Sequence, residues 1–301
     1  MRQFIDRVRA QLPELFLLEN EPMSRHTTFG IGGPADWFAS PRRDELAPLF
    51  ALAKAAAVSV TVLGNGSNVL VGDGGIRGLV VEIGGRMSAV RTEGNCVVAE
   101  AGALLASAAA AAAHAGLGGM EFAAGIPGSV GGAAVMNAGA YGGEIKDILR
   151  SALVLGPDGE QKELSVCELE LGYRRSCIPQ MGYTVLSAVF ALTPDSEEQI
   201  RLRMSELNRR RSEKQPLEYP SAGSAFKRPE GYFAGKLIMD AGLSGYRVGG
   251  AQVSEKHCGF VINRGGATAA DVRQLLEDVR KRVRDMFQVE LEPEVKMLGS
   301  F

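Results

Sequence analysis

The 301-residue chain is 46% hydrophobic and 23% charged, with a formal net charge of −2, the balance of an ordinary globular protein. That charge leaves no electrostatic footprint for nucleic acid, and no apolar run approaches membrane-spanning length. The charged N-terminus Met1-Arg-Gln-Phe-Ile-Asp-Arg-Val-Arg lacks the apolar core of a signal peptide, so a cytoplasmic protein is expected.

Residues 1–20 read as a short amphipathic helix and a lead-in, 36–39 as a strand, and 41–57 as a helix with Asp44 and Glu45 in its early turns. β-branched residues make 58–63 a strand. It runs into Gly64-Asn-Gly-Ser-Asn68, followed by strands over 69–71 and 79–83. A dinucleotide fingerprint needs a helix after its glycines; a strand follows here, which disfavours a Rossmann domain. A strand over 97–100 and an alanine-rich helix over 104–115, ended by Gly116, lead into a glycine-rich stretch at 125–144. Turn chemistry at Gly156-Pro-Asp-Gly159 makes a hairpin, and 184–192 is a long strand. A helix then runs from Asp195 or Ser196 to Lys214. Its terminal run Arg209-Arg-Arg211 suits the helix dipole and reads as a solvated face. The last hundred residues are a distinct unit, with apolar runs at 237–241 and 259–263 and a helix over 268–286. Thr268-Ala-Ala-Asp271 is a capping-box variant, and 289–298 is an alternating terminal strand.

The four cysteines (Cys96, Cys167, Cys177, Cys258) show no paired spacing, and there are only three histidines. No disulfide framework and no metal site is expected, but four reduced, mostly buried thiols. The stretch 125–144 packs seven glycines and four alanines around one charged residue, Glu144. Glycine permits the positive φ angles that turn successive N–H groups toward an anion. Ile126, Val130, Val135 and Met136 interleave with the glycines, unlike a linker. Together with 64–68, this suggests a diphosphate held by backbone.

Three polar sites have two readings each. Tyr173-Arg-Arg-Ser176 offers arginines for a carboxylate or phosphate; composition alone favours a surface pair. Ser224 lies among small residues near Lys227 and Arg228, either functional or a structural turn serine; it is not in a hydrolase elbow. Glu292 and Glu294 share one face of the terminal strand by spacing, and an exposed edge is the simpler account.

In order along 24–298, the chain carries His26-Thr-Thr-Phe-Gly-Ile-Gly-Gly, Leu63-Gly-Asn-Gly-Ser-Asn-Val-Leu, Gly125-Ile-Pro-Gly-Ser-Val-Gly-Gly and Asn137-Ala-Gly-Ala-Tyr-Gly. Tyr173-Arg-Arg-Ser, Gly223-Ser-Ala-Phe-Lys, Ala234-Gly-Lys-Leu-Ile, Gly249-Gly-Ala-Gln-Val-Ser and Leu291-Glu-Pro-Glu-Val follow. This collinear set resembles the UDP-N-acetylenolpyruvoylglucosamine reductase family of flavoenzymes, in its shorter branch lacking the tyrosine loop. The resemblance implies an α+β chain: an FAD-binding fold of the vanillyl-alcohol-oxidase (PCMH) type in two subdomains, plus an α+β substrate-binding C-terminal domain. The implied limits are 1–85 with the returning strand 291–301, 86–195, and 200–290. It implies FAD as cofactor, NADPH as co-substrate and a UDP-sugar as substrate, with no metal and no obligatory protein partner. The implied catalytic residues are Arg174, Ser224 and Glu294. The implied FAD contacts are Gly64, Asn65, Gly66, Ser67, Asn68, Gly125, Ile126, Pro127, Gly128, Ser129, Gly131 and Gly132, with Tyr173 and Lys227 at the substrate. The chain departs from the family pattern at Lys227-Arg-Pro229 and His257-Cys-Gly-Phe260. A flavin oxidase of the same fold, and a non-catalytic flavin or nucleotide-sugar binding protein, are the alternatives.

Overall fold

The computed structural model describes residues 1–301. Its contacts divide the chain into two units. One holds Met1–Leu18, Phe38–Asn65 and Gly78–Arg211; the other holds Glu19–Trp37, Gly66–Arg77 and Ser212–Phe301.

In the first unit, α1 (Arg2–Gln11) buries Phe4, Ile5 and Val8. The second helix, α2 (Arg43–Ala55), starts where the Arg42 amide donates to the Glu45 carboxylate at 2.6 Å, and it buries Leu46, Leu49 and Ala53. The strand Val60–Leu63 pairs in parallel with Ile76–Glu82 and delivers the chain to Gly64. A five-stranded antiparallel sheet forms the centre, in the order Gln161–Ser165, Leu149–Leu155, Thr184–Ala191, Cys96–Glu100, Val90–Glu93. On it pack α3 (Leu105–His114) and α4 (Val130–Met136). In α3 the buried residues are Leu105 and four alanines, so its backbone approaches the sheet closely. Glycine disfavours helix, and the glycine-rich stretch gave no sign of α4. Burial of Val130, Gly131, Ala133 and Ala134, and a Ser129 cap accepting the Gly132 amide, outweigh that preference. Helix α5 (Glu197–Lys214) follows the last strand of the unit.

In the second unit an antiparallel sheet runs Ser221–Ser224, Phe260–Asn263, Ala251–Val253, Arg247–Val248. Helix α6 (Ala234–Asp240) precedes the last three of these strands in the chain. The long α7 (Ala269–Phe287) turns Val272, Leu275, Leu276, Val279 and Val283 inward at helical spacing. The expected capping box is present: Thr268 Oγ1 accepts the Asp271 amide, and Asp271 accepts the Thr268 amide, both at 3.0 Å.

The expected terminal strand over 289–298 shrinks to Lys296–Leu298, paired in parallel with Val69–Val71. Pro293 has no N–H for a ladder, and only an isolated bridge to Phe226 forms there. All four cysteines are free, but only Cys177 and Cys258 are buried. Cys167 is exposed, because it lies in the turn after Gln161–Ser165 rather than in a packed element. No helix is long and apolar enough to cross a membrane.

Candidate active site

Ser224 ends its strand opposite Phe260. The strand is fixed on both sides, since Thr28 Oγ1 donates to the Ser221 carbonyl at 2.7 Å and the Ala225 amide to the Gly259 carbonyl at 2.8 Å. The next residues then run beside the chain end. The Lys227 amide donates to the Glu292 carbonyl at 2.8 Å, and the Glu294 amide to the Ala225 carbonyl at 2.9 Å. Ser224 is thus one residue from the carbonyl that holds Glu294. Asn68 joins from the other side, its Nδ2 donating to the Glu294 carbonyl at 3.2 Å.

Glu292 and Glu294 do not share a face, because the segment is not a regular strand. Glu294 is buried, at 9% exposure. Glu292 is exposed and its Oε1 meets Lys227 Nζ at 2.5 Å, so the ammonium expected at the substrate is engaged by a surface carboxylate. Gly66 has φ +61°, and a Cβ there would stand on the His26 carbonyl. Its amide and that of Ser67 donate to no acceptor in the protein.

In the first unit, Gly64 backs onto Ser129, whose Oγ would lie 2.5 Å from any Cβ added there. Asn65 Nδ2 donates to the Pro127 carbonyl at 2.8 Å, tying the two expected loops together. The amides of Asn65, Gly128 and Ser129 have no protein acceptor. Those of Val130 and Gly131 are taken by Ala103 and Ala101, each at 2.8 Å. Ile126 donates to the Ala123 carbonyl at 3.1 Å and Pro127 has no N–H, so Gly128 and Ser129, not the whole 125–132 run, keep free amides.

Tyr173 and Arg174 form the tip of a two-residue turn closed by reciprocal hydrogen bonds between Gly172 and Arg175, at 3.0 and 3.1 Å. Arg174 has φ +54°, a strained setting for an arginine. It is half-buried, whereas Arg175 is exposed, so the pair is not uniformly surface. Its guanidinium lies 5.1 Å from the Tyr173 ring centre. Sequence reasoning assigned Asn137 no role, though it lies in one of the ordered motifs. It is fully buried, and Nδ2 donates to the Gly172 carbonyl (3.1 Å) and Glu144 (2.7 Å), while Oδ1 accepts the Lys146 amide (2.9 Å). Ser176 Oγ donates to the Val135 carbonyl at 2.7 Å. The turn carrying Arg174 is built on these two anchors.

The basic run at the end of α5 also divides. Arg209 and Arg210 pair with Glu206 on the surface. Arg211 folds inward over Gly125, where a Cβ would stand 3.0 Å from its Cδ. An arginine on a helix has no sequence signal for that choice.

A relative from Agathobacter rectalis, UDP-N-acetylenolpyruvoylglucosamine reductase, is 60% identical over 99% of both chains. The chain belongs to the UDP-N-acetylenolpyruvoylglucosamine reductase family. A relative of the same name from Lachnoclostridium phytofermentans is 54% identical over 93% of this chain and 92% of its own. The crystal structure of the Thermus caldophilus reductase superposes with a TM-score of 0.81 at 37% identity, covering 95% of this chain and 99% of that one. The family's C-terminal domain matches residues 215–298, and an FAD binding domain matches 39–165. The fold is therefore the flavin-binding fold expected from the motifs. Both glycine loops lie inside the FAD-domain match, and their residues fit that cofactor: unused backbone amides, no acidic side chain in either loop, and a backbone approach at Gly64 that a Cβ would close.

Proposed function

We propose that this chain reduces an enolpyruvyl UDP-N-acetylglucosamine to UDP-N-acetylmuramate in the cytoplasm, for peptidoglycan precursor synthesis, with FAD as cofactor and NADPH as electron source. The observation that carries the reading is 60% identity to a reductase of that name over 99% of both chains. On this reading 1–85 with 291–301, and 86–195, hold the flavin, and 200–290 the sugar nucleotide. The amides of Asn65, Gly66, Ser67, Gly128 and Ser129, which no protein carbonyl takes, are the donors for the cofactor's diphosphate, with Gly64, Asn68, Gly125, Ile126, Pro127 and the glycines to 132 shaping the approach.

When bound, the flavin would supply the two-electron hydride chemistry that links NADPH to the terminal vinyl carbon of the substrate. Negative charge then develops on the adjoining carbon and its carboxylate. Preorganised donors aimed at a developing anion contribute most of the stabilisation in such catalysis. Arg174 holds the carboxylate through its planar fork, and the exposed ring of Tyr173 covers the same tip. Glu294, in its acid form, donates to a carboxylate oxygen. Ser224 delivers a proton to the enolate carbon, so hydride and proton together complete the reduction. A serine hydroxyl is a weak acid, but an enolate is a strong enough base to take its proton, which water replaces. Lys227, held by Glu292, stands ready for the substrate's phosphates. No metal and no second protein enter this scheme.

An absorbance experiment tests it. The purified protein is expected to be yellow, to bleach with NADPH, and to recover its colour rapidly with the enolpyruvyl substrate but slowly with air. Rapid recovery with air alone selects a flavin oxidase instead, and a protein that takes up no FAD sinks both.

A further inference from the structure

Arg211 is an arginine without a counter-charge. Every other arginine of α5 has a carboxylate: Arg201 has Glu197 at 2.7 Å, Arg203 has Glu121 and Asp195, and Arg209 and Arg210 share Glu206. Arg211 has neither an ion pair nor a side-chain hydrogen bond, although it is half-buried. Its stem lies against Gly125, with Asn208 Oδ1 beside the same glycine. The one titratable group acting on it is the phenol of Tyr141, and burial pulls its pKa below the ordinary arginine value. Tyr141 itself is held at φ +54° with an exposed ring. A partly desolvated guanidinium with no anion is costly, and its five N–H donors in a rigid fork can hold a phosphate bidentately, as they can a carboxylate. Gly125 opens the loop whose Gly128 and Ser129 amides also lack protein acceptors.

We propose that Arg211 supplies the counter-charge for a nucleotide phosphate bound at the 125–129 loop, the diphosphate of the resident flavin. This rests on the flavin reading above and adds to it a residue outside the glycine loops. The same chemistry could come from a reacting nucleotide, and binding measurements separate the two without turnover. FAD is titrated into flavin-stripped protein by fluorescence quenching, and UDP into the oxidised holoenzyme by its flavin spectrum. The variants are Arg211→Leu and Arg211→Lys, with the surface-paired Arg210→Gln as control.

For Arg211→Leu the FAD Kd is expected to rise at least tenfold, with UDP affinity unchanged where flavin is restored. Arg211→Lys falls between, and Arg210→Gln matches wild type. The flavin-free Arg211→Leu protein is expected to melt no lower than flavin-free wild type, since an uncompensated charge has gone, while the Tm gain on adding FAD shrinks. An unchanged FAD Kd with UDP binding weakened tenfold overturns the flavin assignment and gives Arg211 to the reacting nucleotide. Unchanged affinity for both, or a flavin-free Arg211→Leu protein that melts lower, overturns the proposal and makes Arg211 structural. Wild-type protein that binds no FAD fails the flavin reading itself, a result distinct from all of these.

Discussion

Glu292 and Glu294 flank one proline and occupy different solvents. Glu292 faces water with Lys227 against it, and an exposed pair of this kind is worth at most about 1 kcal/mol. Glu294 is nine-tenths buried, its backbone held by Ala225 and Asn68. Substituting the first therefore tests the surface and substituting the second tests the chemistry. Glu294→Gln keeps the shape but cannot play the acid role proposed for Glu294, and it is expected to slow reoxidation of reduced flavin by substrate far more than it weakens substrate binding. Glu292→Gln is expected to stay within a few-fold of wild type in both half-reactions. Ser224→Ala is expected to leave reduction by NADPH intact and slow the substrate half-reaction by roughly four orders of magnitude, the upper end for general acid catalysis. Stopped-flow traces of the two half-reactions decide all three; equal losses in both for Ser224→Ala return the serine to a structural role. Ordered motifs singled these residues out in the sequence. Their environments were not legible there: spacing two predicts a common face only where a ladder exists, and Pro293 breaks it.

At the scale of elements, α4 and the Arg174 turn form one device. Asn137 ends α4 in the left-handed conformation, at φ +43°, and its amide clamps Gly172 and Glu144. Asn137→Ala removes three hydrogen bonds and places alanine at a positive φ. With about 0.5–1.5 kcal/mol per bond and about 1–2 kcal/mol for the backbone, the loss is expected near 3–5 kcal/mol by urea unfolding. A loss under about 1 kcal/mol means that the turn is held by something else. The helices α2, α5 and α7 were readable to within a few residues, because apolar period in α2 and α7, acidic first turns in all three, and the capping box of α7 are local signals. The short α4 was not, since its stability comes from burial on the sheet rather than from its glycines. The same limit hid Arg211: whether an arginine turns to water or inward is decided by what lies across from it.

For the molecule as a whole, acid should act through His257. Burial pulls its pKa below the ordinary imidazole value, and Nδ1 accepts the Gly259 amide at 3.1 Å, so the folded protein keeps it neutral. Above about pH 6.5 neither the folded nor the unfolded chain protonates it, and it contributes no slope. Below that, the unfolded chain binds a proton that the folded one resists, so stability falls until the folded pKa is reached. The unfolding midpoint in urea is expected to drop between pH 7 and pH 5.5, and to drop less in His257→Gln; parallel curves for the two proteins would remove His257 from the account. The second unit carries a different consequence. Its strand Val69–Val71 waits for Lys296–Leu298, and the backbone of Gly74 and Gly75 waits for Ser300. On the ribosome, then, an apolar strand edge near the beginning of the chain stays open through most of synthesis, available to any other strand it meets. A chain interrupted before residue 296 would keep the short contacts of Glu292 and Glu294 but lose the parallel pairing that anchors their segment along Val69–Val71, so the order of translation makes the unit that carries Ser224 and Glu294 the last to close.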